Sequence, residues 1–157
     1  LKTLFATPTN IEACVTQADL VVGAAYVVGR HAPRLLDRAL LRRMPKGSAL
    51  VDVSIDQGGT AETSRPTSHS APFYVEEGVV HYCVPNMPGA VARTSTLALS
   101  AATLPYLLKL AEGGPRAAFE QDPGFANGLN LAQGRIAHAG LAEDLKLPYS
   151  DWRQLIR

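Results

Sequence analysis

The chain has 157 residues, 46% hydrophobic and 18% charged, a balance that supports a packed core and excludes an intrinsically disordered polymer. The formal net charge of +1 leaves no electrostatic footprint for nucleic acid, and Arg34, Arg38, Arg42, Arg43 and Lys46 read as the solvated face of a helix rather than a nucleic-acid patch. Cys14 and Cys83 show neither metal spacing nor a disulfide framework, so a reduced, cytoplasmic setting is expected. No apolar run approaches the ~18 residues a membrane span needs. The chain opens on Leu1, not on methionine, the expectation being a processed or truncated protein, and its first residues lack the features of a signal peptide.

In chain order, residues 3–6 form a short apolar run that predicts a strand. Thr9 followed by Glu12 has the spacing of a capping box, which predicts a helix over residues 10–17 with Ile11, Cys14 and Val15 inward. Residues 18–23 read as a fully buried strand ending in Gly23. Residues 35–43 predict an amphipathic helix with Leu36, Ala39 and Leu40 inward, stopped by Pro45 and Gly47. Residues 49–54 read as a second buried strand. Continuous apolar strands separated by helices predict a parallel sheet with helices on both faces. Residues 57–72, rich in Gly, Ser, Thr and Pro, predict a long loop. Strands follow at residues 73–75 and 79–84, on either side of Glu76-Glu77-Gly78, with Val79, His81 and Cys83 opposite Val80, Tyr82 and Val84. A long apolar helix is predicted over residues 94–112, bent at Pro105 and ended by Gly113-Gly114-Pro115. The tail predicts a short helix at residues 116–121, a strand at 135–137 and a helix at 139–145.

Three strand ends could carry chemistry. Asp56 follows a buried strand and precedes Gln57-Gly58-Gly59, the place where open α/β sheets put functional side chains. The alternative is a turn-forming aspartate bonding its own backbone. Asn86 in Asn86-Met87-Pro88-Gly89 can both donate and accept, although Asn, Pro and Gly are also turn residues. Gly23-Ala24-Ala25-Tyr26 is small enough for a flat ring to lie against it, or simply marks tight packing. Together these ends would line one edge of a sheet, where such architectures bind nucleotides. No GxGxxG turn occurs, so a pyrophosphate cradle is missing. Asp52, inside the strand, is read as a structural hydrogen-bonding residue. The four histidines show no metal spacing, and no metal is expected. A Ser54, His69, Asp56 hydrolase set lacks a GxSxG elbow.

The stretches Val51-Asp52-Val53-Ser54-Ile55-Asp56-Gln57-Gly58-Gly59, Glu62-Thr63-Ser64-Arg65-Pro66-Thr67, His81-Tyr82-Cys83-Val84-Pro85-Asn86-Met87-Pro88-Gly89 and Arg93-Thr94-Ser95-Thr96 closely resemble alanine dehydrogenases. The resemblance extends over almost the whole chain, and the loop at Asp56 looks unlike that of the related transhydrogenase subunits. It implies an α/β fold: the second half of a Rossmann-type parallel sheet, then a long interdomain helix and a mainly helical piece of the substrate domain. Residues 1–90 would be the C-terminal half of the NAD-binding domain and residues 91–157 the helix and substrate-domain piece.

By the same resemblance, the intact enzyme converts L-alanine to pyruvate and ammonia with NAD, and the reverse, commonly as a hexamer. Asp56 would take part in acid–base chemistry and also lie against the cofactor. Ala25 and Tyr26 match positions on the adenosine half of NAD, Val53, Ser54 and Ile55 the strand end beneath it, and Arg65 a cofactor-proximal arginine. Val84, Pro85, Asn86 and Met87 match the nicotinamide wall, with Asn86 also near substrate. Pro85 stands where alanine is more usual. The phosphate turn and the substrate lysine and histidine of the family have no counterpart here, so a missing N-terminal half is an expected partner. Other readings are a non-catalytic assembly module and a transhydrogenase-like nucleotide-binding subunit.

Overall fold

A computed structural model describes residues 1–156 and gives an α/β fold with a predominantly parallel sheet and a long helix. The chain divides into two compact units. The first holds Leu1–Val27 and His31–Ala90; the second holds Val28–Arg30 and the chain from Val91 onward.

In the first unit, helix α1 (Pro8–Val15) is capped by Thr7, whose side chain accepts from the Asn10 N–H. Thr9, the expected cap, lies inside the helix. Pro8 explains the shift: at the first helical position its missing N–H costs nothing and its fixed φ suits the helix. Residues 3–6 form no strand. The sheet has the order β1 (Leu20–Gly23), β2 (Ala49–Asp52), β4 (Val79–Tyr82), β3 (Phe73–Glu76). The first three are mutually parallel, and β3 is antiparallel to β4. A two-residue turn joins β3 to β4, with positive φ at both Glu77 and Gly78, the backbone that matches the right-handed twist of a hairpin.

Helix α2 (Arg38–Leu41) is shorter than the expected nine-residue segment because Asp37 caps it and Leu36 instead bridges Ala61 in extended backbone. Leu36 and Leu41 are buried while Ala39 is exposed. These side chains join Val15, Met44, Leu50, Ala61 and Val79 in one core. The register puts Val21, Leu50, Asp52, Val79 and His81 on that covered face. The opposite face is open: Leu20, Val22, Phe73 and Val75 are all more than half exposed. The expected helices on both faces, and the full burial of β1, are therefore corrected. β1 is an edge strand, and only one face is covered within this unit.

In the second unit, α3 (Ala92–Gln121) contains a break at Gly114, whose φ of 71° and ψ of 170° separate two helical stretches. The glycine supplies the positive φ and Pro115 begins the second stretch, as the Gly-Pro pair predicts. Pro105 lies inside the first stretch, and the only non-helical residue in α3 is Gly114. Further elements are α4 (Pro123–Ala126), a hairpin of β5 (Leu131–Ala132) and β6 (Arg135–Ile136), α5 (Ala139–Leu145) and α6 (Trp152–Leu155). Asp122, His138 and Asp151 cap α4, α5 and α6 through their side chains. Phe119, Ala126, Ala137 and Trp152 form the core, with Phe119 edge-on to Trp152 at 5.7 Å.

Two measurements test this packing. Phe119→Ala is expected to destabilise the second unit by about 3–5 kcal/mol, read by urea unfolding through the fluorescence of Trp152, the chain's only tryptophan. At the hairpin turn, hydrogen bonds from Arg42 and then Arg38 hold the Glu77 carboxyl down at about 2. A depressed carboxyl stabilises the fold above its ordinary titration range, and that stabilisation is lost as pH falls towards 2. Thermal melts between about pH 5 and pH 2 should show that loss, and Glu77→Gln should flatten the melting temperature over the same window.

Candidate functional site at the carboxyl edge of the sheet

Because β1, β2 and β4 run parallel and pair in register, Gly23 with Asp52 and Val51 with Tyr82, the loops after them emerge at one edge. Ala25 and Tyr26 follow β1, Val53 to Asp56 follow β2, and Val84 to Met87 follow β4. The sequence argument that these strand ends belong together is met by this topology.

The loop after β2 begins as a 3-10 helix (Val53–Gln57), not as a continuation of the strand. Its sharper turn sends Ser54 and Ile55 inward and leaves Val53 half exposed and Asp56 exposed. Ser54 donates its hydroxyl to the Ala25 carbonyl at 2.7 Å, which fastens the β1 loop to the β2 loop. The Asp56 side chain makes no hydrogen bond to any described residue, so its carboxylate is open to solvent or ligand. Gly58 and Gly59 follow with positive φ of 96° and 81°. A Cβ at Gly59 would lie 2.9 Å from Asp52 Oδ2 and 2.7 Å from Ser64 Cβ, so the loop closes only with glycine there.

Asn86 is exposed and has a φ of 54°, left-handed for a non-glycine residue. Its carbonyl accepts from the Gly89 N–H at 2.8 Å and contacts His69 Nε2 at 3.2 Å. Val84 is buried, Pro85 and Met87 are half-buried, and Tyr26 is exposed. Arg65 lays its guanidinium over the Tyr74 ring at 3.8 Å, and its N–H donates to the Tyr74 hydroxyl. Burial raises the Tyr74 hydroxyl above the usual phenol range, so this tyrosine stays neutral, and its O–H donates a hydrogen bond to the Thr63 carbonyl at 2.7 Å.

One feature escaped sequence reasoning. His81, fully buried, joins Thr63 Oγ1 at 2.7 Å and the Val79 carbonyl at 2.9 Å, and stacks on Tyr74. Asp52 fills the structural hydrogen-bonding role expected of it, accepting from the Ser54 N–H, the Thr60 N–H and the Ser64 hydroxyl. For His81 the only sequence signal is period-two alternation placing it on the covered face. The hydrolase set does not form, since Ser54 is committed to Ala25 and His69 to Asn86. Among the described residues no three histidine, cysteine or acidic side chains converge as a metal would require, and no helix is long and apolar enough to cross a membrane.

Against known proteins, residues 1–139 match the family model for the alanine dehydrogenase/PNT C-terminal domain. An alanine dehydrogenase of Halomonas elongata is 51% identical over 156 residues, covering 99% of this chain and 42% of that protein. An alanine dehydrogenase 2 of Staphylococcus aureus is 46% identical over 158 residues, again 42% of its own length. A solved L-alanine dehydrogenase superposes with a TM-score of 0.70 at 48% identity, over 89% of this chain and 38% of that one. A transhydrogenase from Sinorhizobium meliloti superposes with a TM-score of 0.59 at 25% identity, over 68% of this chain and 31% of that one. The chain thus spans about two-fifths of the length of the curated relatives it matches. With a family model over most of its residues and the strand ends arranged in this way, the chain belongs to the alanine dehydrogenase/PNT family and corresponds to its C-terminal domain.

Proposed function

We propose that this chain is the C-terminal portion of an NAD-dependent alanine dehydrogenase, which converts L-alanine to pyruvate and ammonia and runs the reverse amination. The observation that carries the reading is the free, exposed Asp56 carboxylate on the same sheet edge as Ala25 and Asn86. The relatives at 46–51% identity are named alanine dehydrogenases, whereas the transhydrogenase likeness is more distant.

Residues 1–90 are assigned to the NAD-binding domain and residues 91–157 to the interdomain helix and part of the substrate domain. The residues present fit part of the cofactor. Ala24 and Ala25 are small residues against which a flat ring would lie, Val53 offers an apolar surface, and Pro85 and Met87, half-buried beside the buried Val84, would form a second apolar wall. Arg65 supplies positive charge. Gly58 and Gly59 shape the Asp56 loop, and among the described residues no strand passes through a GxGxxG turn into a helix, so those residues supply no phosphate cradle. NAD bound there would supply the hydride acceptor. Asp56 would exchange protons with the amine-bearing carbon's substituents as water enters, and Asn86 would orient the substrate through its amide.

The open apolar face at Leu20, Val22, Phe73 and Val75, the free edge of β1 and the exposed Leu97, Leu99 and Leu107 of α3 are surface that a longer protein covers. They support a requirement for an N-terminal portion and for homo-oligomers, a hexamer by family. The free thiols of Cys14 and Cys83 fit a cytoplasmic setting. An assembly module without catalysis is the second reading, favoured by the same exposed apolar surface.

The chain alone is expected to give no alanine-dependent NADH, while mixing it with the upstream segment of the Halomonas relative restores production; activity of the chain alone would refute the requirement. In a chimera joining the two, Asp56→Ala should lower NADH production about 10²–10⁴-fold, the usual range for a lost acid–base group. Near-wild-type turnover would remove Asp56 from the chemistry.

A further inference from the structure

We propose that Asp52, together with Ser64, is a positioning device that fixes the Asp56 loop for catalysis. This rests on the dehydrogenase reading of Asp56 given above. Asp52 is the last residue of β2, is 0% exposed, and points to the covered face of the sheet. Its Oδ1 accepts from the Ser54 N–H at 3.1 Å, inside the 3-10 helix that carries Asp56. Its Oδ2 accepts from the Thr60 N–H at 2.7 Å and from the Ser64 hydroxyl at 2.6 Å, on the far side of the same loop. The carboxylate therefore clamps the loop on both sides of Asp56, at Ser54 before it and at Thr60 and Ser64 after it.

Further contacts support the clamp. Gly59 passes so close to Asp52 Oδ2 and Ser64 Cβ that a Cβ there has no room. The Thr60 carbonyl accepts from Leu35 and Leu36, and the Gln57 carbonyl from Ala32, so the loop is also pinned from outside. Ser54 is tied onward to Ala25. What remains free inside this ring is the Asp56 side chain. Donors approach both Asp52 oxygens, so the group must accept on both sides. A carboxylate does so; an amide presents one oxygen and one N–H₂, and one backbone N–H loses its acceptor. The device thus has a chemical requirement that shape alone does not satisfy.

The test uses the full-length chimera with Ser64→Ala and Asp52→Asn. Ser64→Ala should lower kcat about 10-fold and Asp52→Asn about 10²-fold, the scale of a small misplacement of a reacting group. The KM for alanine should stay within about twofold, because its binding contacts are not removed. Deuterium uptake by the peptide spanning residues 53–64 should rise in both variants, and the melting temperature of Ser64→Ala should hold. If Asp52→Asn does not fold, Ser64→Ala still decides. Unchanged uptake, unchanged kcat despite faster uptake, or a kcat loss that tracks melting in Ser64→Ala each overturns the proposal. If the unsubstituted chimera oxidises no alanine, the dehydrogenase reading fails and takes the catalytic half of the proposal with it. The uptake measurement still decides whether Asp52 holds the loop.

Discussion

Parallel pairing of β2 with β1 on one side and β4 on the other is the constraint on which the first unit depends. Parallel strands must all end at one edge, and the residues that follow them have no choice but to meet there. Gly23, Asp52 and Tyr82 close their strands in register, and the loops they release carry Ala25, Asp56 and Asn86. The side chains beneath then stop those loops from drifting. Ser54 reaches Ala25, Asp52 reaches Thr60 and Ser64, and His69 reaches Asn86. Asp52 and Ser54 are buried polar groups, costly unless satisfied, and satisfying them is part of what ties the loops to one another.

The sheet is asymmetric. One face packs on α1, α2 and the loop around Ala61, forming a core of aliphatic side chains. The other presents apolar residues to solvent, and β1 offers an unpaired edge. Natural proteins rarely leave a long apolar edge and face open together. The second unit repeats the pattern: a small aromatic core around Phe119 and Trp152, beside an α3 whose first stretch exposes leucines on several sides. A helix apolar all round is a helix meant to be covered. These exposures agree with a chain that spans about two-fifths of its relatives' length.

Sequence reasoning worked best where a rule depends on one strand and its immediate successor. Asp56 and Asn86 stood out because a polar residue and glycines followed a buried strand. Gly114-Pro115 was legible because only glycine takes that backbone and proline suits a helix start. It failed where two local signals competed. Thr7 and Thr9 could both cap α1, and Pro8 decided in favour of Thr7. The Gln133-Gly134 turn, with positive φ at both residues, was a hairpin signal that the short flanking strands concealed.

The sequence by itself determined the family, the α/β class, the strand ends that carry polar side chains and the glycines that let the Asp56 loop turn, because each is a property of a few consecutive residues. Tertiary structure decided what depends on partners distant in the chain. It made β1 an edge, left one sheet face open, and placed the donors of Thr60 and Ser64 around Asp52. No periodicity announces such a clamp, since its members come from a strand end and from two points of a loop whose path is fixed only when the sheet and its covering helices have packed.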